Sequence, residues 1–151
     1  MVKFGGNFLN MKRVDLAYMA GIFDGEGSIW IGKQAVSRSG KPIYILQCAL
    51  AMANPYIPKV FHFAFGGYFY VSREPSEKMQ QIWRWSIKAG GAAAFLEIIK
   101  PYLRLKKQEA DLAIQFQKRK RNGARKGEWG VKSRSEAERI LLHSLKVKSN
   151  D

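Results

Sequence analysis

The chain has 151 residues, 46% of them apolar, and carries 26 Lys plus Arg against 12 Asp plus Glu, a formal charge of +14. That length and apolar share fit one domain with its own core and argue against wholesale disorder. The charge favours a polyanionic partner, and nucleic acid over an anionic membrane: no stretch reads as a span, and the basic residues are spread along the chain rather than packed beside one anchor.

Residues 1–12 read as a short arm. Asp15 is placed to begin a helix over about 15–24, and the glycines of Asp24-Gly25-Glu26-Gly27 read as its stop. The apolar stretch 16–23 is too short to cross a bilayer. Two carboxylates at the mouth of a buried helix are costly unless something cationic sits there, so this segment reads as a packing helix that delivers an acid to a site. Residues 28–34 read as a strand, with Ile29 and Ile31 on one face and Ser28, Trp30, Gly32 and Gln34 on the other. A polar turn over 35–43 leads to a second strand at 44–52, with Leu46, Cys48, Leu50 and Met52 toward the core.

Asn54-Pro55 marks the start of a helix over about 57–65, which Gly66-Gly67 stops. Strands follow at 68–72 and 80–87, the second alternating Trp83, Trp85 and Ile87 with Ile82, Arg84 and Ser86. Helices are expected over about 92–100 and 106–118. The Gly-, Lys- and Arg-rich segment 118–132 reads as a surface loop. A last helix at 135–146 would be capped by Ser135, with Glu138 three residues on.

Helix-strand-strand repeated twice and followed by helices predicts an α+β domain: one four-stranded antiparallel sheet with helices on one face. The other face can stay open to water. It would carry Ser28, Trp30, Gln34, Gln47, Tyr68, Tyr70 and Arg84, a mixture of hydrogen-bonding and stacking groups suited to duplex grooves. The whole of 1–151 reads as one domain, with its core at 13–118 and a basic loop and final helix at 119–151. Cys48 is the only cysteine, so neither an intrachain disulfide nor a cysteine-cluster zinc site is possible. His62 and His143 lack metal-ligand spacing and read as structural. The first residues lack the signal-peptide succession of charged, apolar and small residues, so an intracellular setting is expected.

The run Met19-Ala20-Gly21-Ile22-Phe23-Asp24-Gly25-Glu26-Gly27 resembles the nine-residue motif of the LAGLIDADG homing endonucleases. Residues 101–116 resemble the later core helix of that family and its preceding basic residue, and the element order is also the family's. The resemblance implies a site-specific double-strand DNA endonuclease that hydrolyses phosphodiester bonds in a long, pseudo-palindromic site. A non-cutting relative on the same fold, an intron RNA maturase or a DNA-binding regulator, is the alternative. In the family the motif helices pair at a two-fold axis. Ala17, Gly21 and Gly25 fall four apart and would line that face, with Asp24 beside them as a structural acid. One copy of the motif implies a homodimer.

By the same resemblance Glu26 is the ligand of the catalytic divalent metal, Mg²⁺ by default, with Mn²⁺ or Ca²⁺ also suited to such a site. Lys106, or its neighbour Lys107, matches the basic residue near the scissile phosphate. Asn54 matches a position that aligns a water or metal in related enzymes, and it is equally placed to cap the helix after it. Lys118, Arg119, Lys120, Arg121, Arg125 and Lys126 are candidates for phosphate contacts. The implied setting is an organelle (chloroplast or mitochondrion) or a bacterial or archaeal cytoplasm, with no membrane partner.

Overall fold

The computed structural model describes residues 11–34, 42–123 and 128–148, and the side chains within 11–34, 42–120 and 135–146. The arm at 1–10, the turn at 35–41 and the basic residues Arg125 and Lys126 lie outside the described residues, as does the side chain of Arg121. Helix α1 (Arg13–Glu26) starts two residues earlier than its sequence suggests. Asp15 sits in the first turn and reaches back to accept from Lys12 N at 3.2 Å, which satisfies an otherwise orphan donor. The glycines do not stop α1. Gly21 and Gly25 are both helical, and β1 (Gly27–Gln34) follows Glu26 with no residue between. Glycine weakens a helix through backbone entropy, about 1 kcal/mol, and packing on the core outweighs that.

Strand β2 (Ile43–Met52) leads to α2 (Tyr56–Phe65), then β3 (Tyr68–Arg73) and β4 (Ile82–Lys88). These strands form one antiparallel sheet in the order β1-β2-β4-β3. Gly66 and Gly67 turn the chain at positive φ, 76° and 82°. At Gly67 the approach is also close, since a Cβ would stand 2.4 Å from Ser86 O. The Gly66 carbonyl accepts from Trp85 Nε1 at 2.8 Å, which satisfies the buried indole.

Helix α3 (Ala89–Ile99) passes through a 3₁₀ turn (Lys100–Tyr102) to α4 (Lys107–Gly123), and α5 (Glu128–Lys148) ends the chain. Ile29, Ile31, Leu46, Cys48, Leu50, Trp85 and Ile87 of the sheet share one core with Phe23, Phe61, Phe65, Phe95, Phe116 and Leu142 of the five helices. The helices therefore cover one face. Phe95 stands at its centre, with ring centroids 4.8 Å from Phe65, 4.9 Å from Trp85 and 5.0 Å from Phe23. Gly27 is fitted against this cluster, because a Cβ there would lie 2.2 Å from Phe23 Cδ2. Phe23 has no room to yield. Gly27→Ala is thus expected to cost about 1–3 kcal/mol, the usual range for an overpacked core. An unchanged denaturation midpoint in urea would contradict this.

The loop expected over 118–132 is mostly helix. Helix α4 continues to Gly123 and α5 begins at Glu128. Lys and Arg are good helix formers, and a dense charge run says more about solvation than about backbone. Ser135 is therefore no helix cap. It is buried within α5, and its Oγ accepts from Arg119 Nη2 at 3.0 Å, while the Glu138 carboxylate takes the same guanidinium at 2.6 Å. The latch that holds α5 to α4 is thus built from a residue expected to meet phosphate. Further along, Tyr44 Oη donates to Glu136 Oε2 at 2.5 Å. Hydrogen bonds from Arg139 and Tyr44 hold the Glu136 carboxyl at about 2. The stability this pair gives α5 is present at neutral pH and fades as pH falls from 4.5 toward 2. Among the described residues, no helix is long and apolar enough to cross a membrane.

Candidate functional site

The strand register turns the open sheet face into rows. Trp30, Gln47 and Lys88 lie abreast; so do Ser28, Ala49, Ser86 and Tyr68; so do Ala51, Arg84 and Tyr70. Ala49 and Ser86 are buried and form a floor. Around them Trp30, Gln47, Tyr68, Tyr70, Arg84 and Lys88 enclose a hollow of about 390 Å³. The Arg84 guanidinium carbon lies 5.8 Å from the Trp30 ring centroid. Gln34 sits toward the far end of β1, opposite Ile43, four register steps beyond Trp30 and Gln47. The Tyr68 and Tyr70 rings are exposed. Lys88 was not singled out in the sequence, although it continues the alternation of Arg84 and Ser86.

A second group gathers where α1 meets the sheet. Glu26 is the last residue of α1 and exposed, and among the described residues no hydrogen bond or ion pair engages its carboxylate. Asp24, two residues earlier, is buried. Its Oδ2 accepts from Arg104 N at 2.8 Å and its Oδ1 from Lys106 N at 3.0 Å. Both are backbone donors at the entrance to α4, so this acid ties the start of α4 to the end of α1. The Lys106 ammonium donates to the Asp24 backbone carbonyl. Lys107 instead lines a groove on the flank of α1 with Ala17, Gly21, Pro101 and Tyr102. Asn54 stands at the same end of the sheet, four residues past the Leu50–Gly27 pairing. Its Oδ1 accepts from Tyr56 N at 2.9 Å, an Asx-type start to α2.

The basic run of α4 is engaged within the chain where it is described. Lys118 pairs with Glu97 at 3.1 Å, Arg119 with Glu138, and the Lys120 ammonium donates to the Tyr44 carbonyl. Arg119 is accordingly a strut between helices rather than a free phosphate ligand.

The sequence did not point to Glu109. It is buried in the first turn of α4, where an acid normally reaches back to the N-cap amide. Asp24 already takes that amide, the Lys106 N–H, and among the described residues Glu109 Oε2 has no hydrogen-bond partner. Burial pushes the Glu109 carboxyl up, with Lys146 and Lys106 opposing the shift. A raised folded value means stability is highest below pH 4.5 and declines as pH climbs through it. Glu109→Gln is therefore expected to stabilise the fold by about 1 kcal/mol at neutral pH. The gain should vanish near pH 4. Equal melting temperatures for the two proteins at pH 7.5 would disprove it.

Among the described residues no three His, Cys, Asp or Glu side chains come together. Glu26 does offer a hard oxygen donor that no other described residue engages, the donor type that Mg²⁺ and Ca²⁺ take. On α1, Ala17, Gly21 and Gly25 are all exposed, as are Val14 and Tyr18. A Cβ at Gly21 or Gly25 would meet nothing within 4 Å. These glycines are not needed for packing inside the chain.

No family model matches the sequence, and no curated protein matches it. Solved structures do match. The homing endonuclease I-CvuI in complex with the I-CreI target superimposes with a TM-score of 0.73 at 18% identity, over 88% of this chain and 82% of that one. The archaeal intron-encoded homing endonuclease I-Vdi141I, complexed with DNA, gives 0.70 at 14% identity, over 87% and 84%. The LAGLIDADG homing endonuclease I-SmaMI bound to cleaved DNA gives 0.61 at 14% identity, over 88% of this chain but 43% of that one. The fold is that of the LAGLIDADG homing endonucleases. In this LAGLIDADG fold α1 and the first residue of β1 carry the run that resembles the family motif, and its final acid emerges beside the first strand of the sheet. The chain corresponds to most of I-CvuI and to less than half of I-SmaMI.

Proposed function

We propose that the chain is a homodimeric, divalent-metal-dependent DNA endonuclease that makes a double-strand break in a long, roughly two-fold site. The observation that carries this reading is Glu26. It is an exposed, unengaged carboxylate at the end of a helix that bares Ala17, Gly21 and Gly25, with the Lys106 ammonium held two residues away on the Asp24 carbonyl. Pairing two such helices through their small-residue faces doubles the acid at one axis. Two Glu26 carboxylates would hold Mg²⁺, or Mn²⁺ or Ca²⁺ in its place, and the metal supplies charge relief and water activation for phosphodiester hydrolysis.

Each remaining role belongs to a side chain of the protein. Lys106 brings its ammonium toward the phosphate and offsets the charge that builds on the transition state. Asp24 fixes that lysine by holding its backbone. Asn54, with Oδ1 bound to Tyr56 N, keeps its amide NH₂ available at the same end of the sheet. Ser28, Trp30, Gln34, Gln47, Tyr68, Tyr70 and Arg84 would face the groove. Lys88 joins them at the rim, and Arg121 remains a candidate for a phosphate. The three matched proteins are described as homing endonucleases in complexes with DNA, which agrees with this reading.

Incubation with a randomised duplex library and Mg²⁺ tests it. The expected result is one enriched family of cut sites with two-fold character and no cutting in EDTA. Folded, DNA-bound dimer that cuts nothing would overturn it. Preference for structured intron RNA over duplex would then identify the maturase alternative.

A further inference from the structure

Arg84 stands apart from the other described arginines of the sheet and the last two helices. Arg73 donates to the Gln80 carbonyl, Arg119 to Glu138 and Arg139 to Glu136. Arg84 is half-buried at the centre of the open face, yet among the described residues no hydrogen bond or ion pair engages it. Its one described partner is the Trp30 ring, 5.8 Å away. The indole attracts the guanidinium charge without taking a hydrogen bond, so all five N–H donors stay available. Arg84 lines the open hollow, so its donors can meet an acceptor that arrives from outside.

The neighbouring strand makes the arrangement possible. Between β1 and β4, the open face of β2 presents the methyl groups of Ala49 and Ala51, low enough for Trp30 to reach across to Arg84. Gly32 leaves room on the other side, where a Cβ would stand 2.7 Å from the Gln47 amide and 3.5 Å from Trp30 Nε1. The indole is therefore set between Gln47 and Arg84. An arginine held beside an aromatic ring loses less side-chain freedom on binding than a free one.

We propose that Trp30 and Arg84 form a guanine-reading unit, with Arg84 bidentate to O6 and N7 in the major groove and Trp30 fixing the plane of the fork. The inference rests on the duplex-binding reading above and gives it a base identity. In a two-fold assembly the unit acts twice, so guanine is required at one symmetric pair of positions, once in each half-site.

The test is selection of bound duplexes from a randomised library by the full chain in EDTA, where binding is read without cutting. The wild type is expected to enrich guanine at one symmetric pair, and replacing that guanine should weaken binding about 10- to 100-fold. Arg84→Gln should move the preference at that pair to adenine, which Gln pairs bidentately. Trp30→Ala should keep Arg84 but flatten the guanine preference to about threefold or less. Lys88→Ala, at the rim, should weaken all sequences alike and reduce the salt dependence. If the wild type enriches a site whose symmetric pair is indifferent to Arg84→Gln and Trp30→Ala, the guanine unit is wrong and the duplex-binding reading survives. If the wild type enriches no duplex at all, both are wrong.

Discussion

Glu26→Gln is expected to abolish cutting, by at least about 10²–10³-fold, while duplex affinity stays within about threefold of the wild type. Losing one preorganised charge-stabilising group at a reacting centre costs that much, and a metal that activates the attacking water contributes at least as much. The amide keeps the size and shape of the acid but removes the negative oxygen that a hard cation takes. The side chain is exposed, and among the described residues it bonds to nothing. The fold therefore gives no reason for a change in melting temperature. A structural role predicts the opposite pattern, lower stability with cutting retained. Single-turnover cleavage, fluorescence anisotropy on the same duplex and a thermal melt separate the two. Wild-type cutting by Glu26→Gln would falsify the assignment of Glu26 as metal ligand.

Gly21→Leu should separate folding from assembly. Among the described residues a Cβ at Gly21 meets nothing within 4 Å, and the position opens onto the groove beside Pro101 and Tyr102, so there is space for the added side chain. Leu is also the better helix former by about 0.8–1 kcal/mol, so the isolated chain should melt no lower than wild type. At a two-fold helix pairing the same residue is presented twice, and two added isobutyl groups would push the backbones apart. Sedimentation should show dimer giving way to monomer, and double-strand cutting should fall by about 10²-fold or more as the second acid is lost from the axis. A Gly21→Leu protein that sediments as a dimer and cuts normally would remove α1 from the interface.

The sequence carried the sheet well because alternation in half-buried strands is a direct record of which face meets water. Ile29 and Ile31, or Trp85 and Ile87, had one interpretation, and Ser28, Trp30 and Arg84 had the other. It misled at α1, where glycine was read as punctuation. Gly25 stays helical because the helix is held by Met19, Ala20 and Phe23 in the core, a tertiary cause invisible to local signals. It misled again over 118–132, where charge density was read as absence of structure. Arg119 shows why: its counter-charge, Glu138, lies 19 residues downstream, and only the antiparallel return of α5 brings them together. Glu109 could not be found from sequence, since its oddity lies in what Asp24, 85 positions earlier, already occupies. Lys88 needed only one more step along a strand pattern already recognised.

The direct joint between α1 and β1 sets a scale for the molecule. Glu26 ends the helix, Gly27 opens the strand beside it, and Phe23 leaves that joint no slack. In a cutting dimer the acid and the reading strand are then parts of one rigid gauge. The spacing between the cut bond and the first base read would then be set by this joint. Substitutions along Ser28, Trp30 or Gln34 would retune which letters are accepted without moving the acid relative to the strand that reads them.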